Sequence, residues 1–320
     1  LDYIGKNLGG RQRPGIGIST TSRFDLMSEQ TPENQPSGAS AEAISYHYDV
    51  GTEFYRLWLD RNLTYSAARW GDPHQATASP VSLELAQEAK LDFHLKAAGI
   101  GPGDSLLDIG CGWGSMLRRA VEQYGVAEAT GLTLSSDQYN YVRALDLPGV
   151  EVRLENYEDY RPASKFSGIV SVGAFEHFTR PGLSAAEKVA IYRRFFERCH
   201  GWLNRGAHLS LQSITWGNVP RDRSSLILAQ DVFPETDPPY LADVLEASVS
   251  TFEPIYLENR RNDYIQTLQV WLERLRARQR EIEAMTSTQT FVFYERYLRG
   301  SIYRFKKKEL QLCRFVFRRH

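Results

Sequence analysis

Leu106–Gly114 reads LLDIGCGWG. An apolar run ends in Asp108, and glycines then stand at alternate positions 110, 112 and 114. The next stretch, GSMLRRAVEQYG (114–125), is amphipathic and closes on Gly125. A strand that ends in so bare a loop and then enters a helix can bring its backbone against a ligand, because glycine tolerates sharp turns and close approach. In a parallel sheet, that loop lies outside the carboxyl end of its strand, where ligands bind.

The same alternation continues outward from the loop. AEATGLTL (127–134), VEVRLEN (150–156), FSGIVSVGAF (166–175) and AHLSLQSI (207–214) read as strands. SSDQYNYVRAL (135–145), with Ser135 as cap, and AAEKVAIYRRFFERCHGWL (185–203) read as helices between them. Strands separated by helices imply a parallel sheet with right-handed crossovers. Upstream, SPVSLELAQEAKLDFHLKAAG (79–99) predicts a helix capped by Ser79 or Ser82 and stopped by Gly99. Downstream of Trp216 a polar, proline-rich segment runs to about Tyr240 and suits a lid or a docking surface. EPIYLEN (253–259) then reads as a strand and YIQTLQVWLERLRARQREIEAM (264–285) as one long helix. The last stretch, ELQLCRFVFRR (309–319), alternates apolar and polar residues and predicts a half-buried antiparallel strand. Residues 1–40, rich in Gly, Ser, Thr, Pro and Gln, are expected to form a flexible arm.

The bulk numbers narrow the function. Of 320 residues, 42% are hydrophobic and 24% charged, with a formal net charge of -1, so nothing suggests a nucleic-acid partner. Three cysteines, Cys111, Cys199 and Cys313, have no metal-site spacing and read as reduced thiols of a cytoplasmic protein; no metal is expected. No apolar run reaches the ~20 residues that span a bilayer.

Two nucleotide ligands compete for the glycine loop. A dinucleotide site calls for G-x-G-x-x-G and an acid about 20 residues on. Here the pattern is G-x-G-x-G, the acid Asp108 precedes it, and the second strand ends in GLTLS with no acid at its tip. That form suits S-adenosylmethionine, which has no pyrophosphate to cradle but carries an ammonium group that a carboxylate favours.

Further stretches agree with the second ligand. YHYDVGTEFYRLWLD (46–60), LTYSAARW (63–70), AQEAKLD (86–92), LLDIGCGWG, GLTLSSDQ (131–138), IVSVGAFEHF (169–178), DYIQTLQVWLERL (263–275) and YERYLRGSIYRFKKKELQLCRFVF (294–317) occur in the order of a known family. In them the chain resembles the cyclopropane fatty acid synthases, especially the mycolic acid cyclopropane synthases. The resemblance implies an α/β class I methyltransferase (Rossmann-like) fold: a seven-stranded, mostly parallel sheet with an antiparallel last strand and a helical cap. It divides the chain into the arm 1–40, an N-terminal helical cap at 41–98, and a methyltransferase core at 99–320 with a helical insertion at about 216–250. It implies that S-adenosylmethionine touches Tyr65 and Ser66, then Asp108, Gly110, Gly112 and Gly114, then Thr133, Leu134 and Gln138, and finally Asn156, Tyr157 and Glu158. Gln138 would meet the ribose hydroxyls and Tyr157 would stack on adenine.

The chemistry implied is attack of an alkene on the cofactor's methyl group, giving a carbocation that loses a proton, with or without ring closure. Such a site excludes water, surrounds the cation with aromatic faces or carboxylate, and supplies a base. In the family a bicarbonate acts as base, held by Cys, Glu, His, Ile and Tyr. The matching positions here are Ala67, Glu176, Gln212, Ile214 and Tyr264, with His177 beside them, and a further family Cys is Ser301. Gln212 can still donate to an anion through its amide; the base is then bicarbonate or Glu176 itself. His94, His200 and His208 read as structural or surface residues. The implied acceptor is a hydrophobic unsaturated lipid or small molecule. Competing readings keep the cofactor but use a small amine or isoprenoid acceptor, or retain the cofactor in a protein that steers a cyclisation. Transient membrane contact and homo-oligomerisation are compatible with all of them.

Overall fold

The computed structural model describes residues 50–71, 82–228 and 236–320. The expected arm, the start of the cap before Val50, Ser79 and part of the segment after Trp216 lie outside the described residues.

Seven strands form one sheet: β1 (Ser105–Ile109), β2 (Glu128–Thr133), β3 (Val150–Leu154), β4 (Phe166–Val172), β5 (Leu203–Trp216), β6 (Phe252–Asn259) and β7 (Leu310–Arg319). Their order is β3-β2-β1-β4-β5-β7-β6. The first five strands pair in parallel, and β7 runs antiparallel to both β5 and β6. The order reverses at β1 and β4, so the loops after these two strands open onto one crevice.

Ten helices accompany the strands among the described residues: α1 (Thr52–Arg56), α2 (Leu83–Ala97), α3 (Ser115–Tyr124), α4 (Ser136–Ala144), α5 (Ala185–Trp202), α6 (Arg221–Leu228), α7 (Leu241–Ser248), α8 (Arg261–Ala277), α9 (Gln279–Met285) and α10 (Thr288–Lys306). Side-chain caps set several of their starts. Ser82 accepts from the backbone N–H of Leu85, Ser135 from that of Gln138, and Ser184 forms a reciprocal capping box with Glu187.

Three apolar clusters hold the elements together. One lies between α2, α3 and the sheet around Leu91, Leu106 and Leu117. A second joins the sheet to α5 and α7 through an aromatic array that includes Phe175, Phe195 and Phe317. The third joins α1 to α8, α9 and α10 through Trp58, Trp271, Ile282 and Tyr294. In the third cluster Trp58 and Trp271 meet edge to face with centroids 5.8 Å apart. Packing therefore crosses the expected border at 98/99, since α2 lies on the sheet and the C-terminal helices pack on α1.

Two expectations change. The stretch 264–285 is not one helix: it breaks at Arg278, whose φ and ψ are -107° and 16°. No large apolar residue lies between Leu275 and Ile282 to hold a straight course. The last strand is not half-buried either: residues 312–317 of β7 are all buried, because apolar clusters cover both of its faces, one through Leu310 and Leu312 and the other through Cys313, Phe315 and Phe317. Residues 288–306, for which no element was expected, form a 19-residue helix capped by Ser287.

Candidate functional site

Two adjoining cavities open at the carboxyl ends of β1 and β4. The glycine loop forms the floor of the first. Gly110 and Gly112 have φ of +84° and +54°, in the left-handed region that favours glycine. A Cβ on Gly110 would stand 2.5 Å from the Cβ of Ala174, so the two loops meet only because residue 110 is bare. A Cβ on Gly112 would meet nothing within 4 Å, so this backbone faces open space. Gly114 does not reach the wall. It starts α3 with φ +76°, and a Cβ there would press on Val142 at 2.9 Å.

The other predicted cofactor residues do line this cavity: Tyr65, Ser66, Asp108, Thr133, Leu134, Gln138, Asn156, Tyr157 and Glu158. Thr133 Oγ1 donates to Gln138 Oε1 at 2.7 Å, which leaves the Gln138 amide N–H groups as donors toward hydroxyl oxygens. Asn156 Oδ1 accepts from the Glu158 backbone N–H at 3.0 Å and shapes the turn after β3. Tyr157 is largely buried against Phe178, with ring centroids 4.5 Å apart, so only part of its ring faces the cavity.

Asp108 is 3% exposed, and its carboxylate accepts no hydrogen bond among the described residues. Burial pushes its pKa up to about 7, partly offset by Lys90. Lys90, which the sequence did not single out, is wholly buried in the same wall and donates from Nζ to Ser66 Oγ at 2.9 Å. Burial pulls it down to about 7, opposed by the charge of Asp60. Its signal in the sequence was a cation on the apolar stripe of α2, between Ala86 and Leu91.

The second cavity gathers Ala67, Glu176, His177, Gln212, Ile214, Tyr264 and Ser301. They come from the segment after α1, the turn after β4, strand β5, and helices α8 and α10. Every residue matched to the anion pocket thus lies in one wall, together with Trp216, Tyr297 and Phe305. Glu176 is buried in a short 3₁₀ turn, Phe175–His177. Ser213 Oγ donates to its Oε2 at 3.0 Å, and the Ile214 N–H approaches Oε1 at 3.5 Å. Desolvation outweighs both contacts and raises its pKa to about 7. His177 shares a 2.8 Å hydrogen bond through Nδ1 with Thr236, and burial lowers it to about 4.

Gln212 is clamped by a residue the sequence did not flag. Arg314 of β7, fully buried, donates from Nε to Gln212 Oε1 at 2.7 Å. Because arginine only donates, the carbonyl oxygen of Gln212 must be the partner, and the amide N–H groups face elsewhere. Arg314 Nη2 also donates to the carbonyls of Ala67 and Ala68, at 3.4 and 3.1 Å. His94 is buried and shares a 2.8 Å hydrogen bond with Ser210; neither it nor His200 nor His208 lines the two cavities.

Tyr65, Ser66, Gly173 and His177 belong to both cavities and form the partition between them. Among the described residues no group of His, Cys, Asp or Glu is placed to hold a metal, all three cysteines are free and buried, and no helix is long and apolar enough to cross a membrane.

A family model described as mycolic acid cyclopropane synthetase matches residues 36–315. The chain is 32% identical over 302 residues to a probable fatty acid methyltransferase of Pseudomonas putida, covering 90% of this chain and 72% of that one. The structure of the cyclopropane synthase MmaA2 from Mycobacterium tuberculosis aligns with a TM-score of 0.77 at 31% identity, over 88% of this chain and 99% of that one. Mycolic acid cyclopropane synthase CmaA1 complexed with SAH and CTAB aligns with the same TM-score of 0.77 at 30% identity, again over 88% and 99%.

Proposed function

The chain belongs to the mycolic acid cyclopropane synthetase family of S-adenosylmethionine-dependent methyltransferases, and from that premise we propose that it methylates an unsaturated carbon of a hydrophobic, lipid-like or isoprenoid acceptor. The observation that carries this reading is the shared partition: a cavity built on the glycine loop adjoins, through Tyr65, Ser66, Gly173 and His177, an aromatic cavity that holds a buried carboxyl group.

The first cavity fits the cofactor by the chemistry of its donors. Asp108 has an unmet acceptor capacity for an ammonium, Gln138 offers amide N–H groups to ribose hydroxyls, and Gly112 leaves room for the ligand at the backbone. Bound there, S-adenosylmethionine supplies an electrophilic methyl group that turns an acceptor alkene into a cation. The chain's own part lies in the second cavity. Trp216, Tyr264, Tyr297 and Phe305 exclude water and present aromatic faces to positive charge. Glu176 takes the proton; a carboxyl group titrating near 7 suits a base that works near neutral pH. A bicarbonate would meet Tyr264, but Ala67 offers it no side-chain donor, and the Gln212 side chain is held between Arg314 and the buried His94. Glu176 therefore serves as the base in this reading. A lipid acceptor would be collected by transient membrane contact, and the free thiols accord with work in the cytoplasm.

The test uses cofactor carrying a trideuterated methyl group, with extracted unsaturated lipids and isoprenoids as acceptors, read by mass spectrometry. A cyclopropane keeps two of the three deuterium atoms, and a methyl branch keeps all three. Loss of label transfer in the Glu176→Gln variant is expected. Failure of the wild type to label any unsaturated acceptor overturns the reading.

A further inference from the structure

Trp216 ends β5 and lines the second cavity, and its indole is held in an unusual way. The indole N–H groups of Trp70 and Trp113 are donated to threonine hydroxyls, at 2.9 and 3.2 Å, and those of buried Trp58 and Trp271 reach no acceptor among the described residues. Trp216 donates instead to a buried carboxylate, with Nε1 2.9 Å from Asp237 Oδ1. The other oxygen, Oδ2, pairs with Lys188 Nζ of α5, which is buried as well. The segment around Asp237 does not need this ion pair to keep its course. The Asp237 N–H donates to the Thr179 carbonyl at 3.2 Å, its carbonyl accepts from Thr179 Oγ1 at 2.9 Å, and the Trp216 N–H donates to the Pro239 carbonyl at 2.9 Å. What the carboxylate adds is the direction of the indole. Tyr240, which does not line the cavity, stacks on that ring at 29° with centroids 6.3 Å apart, and the Arg221 guanidinium stands 4.2 Å from the Tyr240 centroid. One face of the indole is thus covered from behind, and its N–H edge is pinned.

We infer that Lys188 and Asp237 are positioning residues for Trp216, turning its open face toward the cationic centre that forms in the acceptor cavity. This rests on the reading that the second cavity receives the acceptor. An aromatic ring attracts a cation over its face and not at its edge, so the angle of the indole matters as much as its presence. Lys188 balances the charge of Asp237, so the wall favours the cation through the ring and not through a bare carboxylate. Apolar residues of similar volume often replace a buried ion pair at no cost in stability, so holding the wall together does not call for one.

Calorimetry on the full chain, saturated with S-adenosylhomocysteine, tests this with two probes of equal chain length: decyltrimethylammonium, a cation, and 1-decanol, which is neutral. Two double variants leave the net charge unchanged. Lys188→Met with Asp237→Leu removes the acceptor of the indole N–H, and Lys188→Met with Asp237→Asn keeps one. The first is expected to lose about five- to tenfold for the ammonium and to keep its affinity for decanol, as loss of one desolvated cation–π contact implies. The second should recover most of that loss. In a Trp216→Leu background the two double variants should no longer differ. Equal losses for both probes, or none, would overturn the inference, and so would a difference that persists without the indole. Should the first double variant fail to fold, Trp216→Phe, which has no N–H for Asp237, should show the same selective loss, and unchanged ammonium affinity there would overturn the inference. If wild type binds neither probe, the reading of the cavity itself falls.

Discussion

Glu176 shows how much a single environment decides. Ser213 and Ile214 stabilise its ionised form, yet burial outweighs them and holds the carboxyl group at about 7, above its ordinary 4.5. In the proposed role of base Glu176 must be ionised, so the rate at saturating cofactor should rise as pH climbs through about 7 and level off above it. Glu176→Gln should remove that limb and slow transfer by roughly 10²–10⁴-fold, with S-adenosylhomocysteine affinity unchanged in calorimetry. The raised pKa also has a sign for stability. The unfolded chain releases this proton at lower pH than the folded one, so Glu176 costs stability progressively as pH rises from its ordinary 4.5 to about 7. Above neutral pH the Gln variant should therefore melt no lower than wild type. Gly112 carries the complementary prediction. Its φ of +54° and open surroundings suit glycine alone at a ligand-facing turn, and Gly112→Val should abolish the calorimetric signal of S-adenosylhomocysteine. A normal titration in that variant would remove the glycine loop from the site.

At the scale of elements, the segment from Leu63 to Gly71 is held from several sides. Ala68 N–H and the Trp70 indole N–H both donate to Thr267 Oγ1, Arg69 pairs with Glu258, Arg260 donates to the Gly71 carbonyl, and Arg314 donates to the carbonyls of Ala67 and Ala68. Arg314→Met would strip three acceptors of their donor and leave Glu258 and Asp263 without a nearby cation they now share. Urea denaturation should show a loss of about 3–5 kcal/mol, and because the segment carries Tyr65 and Ser66, cofactor affinity should fall as well. Unaltered stability would contradict this account of the segment. The strands and helices between Ser105 and Trp216 were legible from sequence because period, glycines and caps all agree there. Helix α10 was not, although Phe291, Tyr294, Leu298 and Phe305 mark one apolar face, since exposed Val292, Phe293 and Tyr303 blur that stripe and Gly300 interrupts it. The anion-pocket positions came from ordered motif matches, not from local pattern. Lys90 and Arg314 escaped for a physical reason. A charge on a helix or strand reads as solvent-facing until the distant elements that bury it are known, and β5 meets β7 across about a hundred residues of chain.

On the scale of the molecule, the two cavities join parts of the chain that no local contact unites: the turns of the parallel sheet, the segment after α1, and the C-terminal helices. A ligand in the first cavity ties the glycine loop to Tyr65 and Ser66, so it should oppose unfolding of the whole. At a hundredfold excess over its dissociation constant, S-adenosylhomocysteine should add about 2.7 kcal/mol. That corresponds to a rise in Tm of roughly 4 °C for a chain of this size, read by scanning calorimetry. No shift would place the ligand elsewhere. The partition also has a meaning for enzyme engineering. In the proposed assignment of the cavities, a substitution at Tyr65, Ser66, Gly173 or His177 would perturb donor and acceptor together, whereas Tyr297, Ser301 and Phe305 line the second cavity alone and sit on a single helix. A combinatorial library confined to those three positions can explore new acceptors while every clone keeps the same methyl-donor chamber, so selection for altered products need not re-evolve cofactor use.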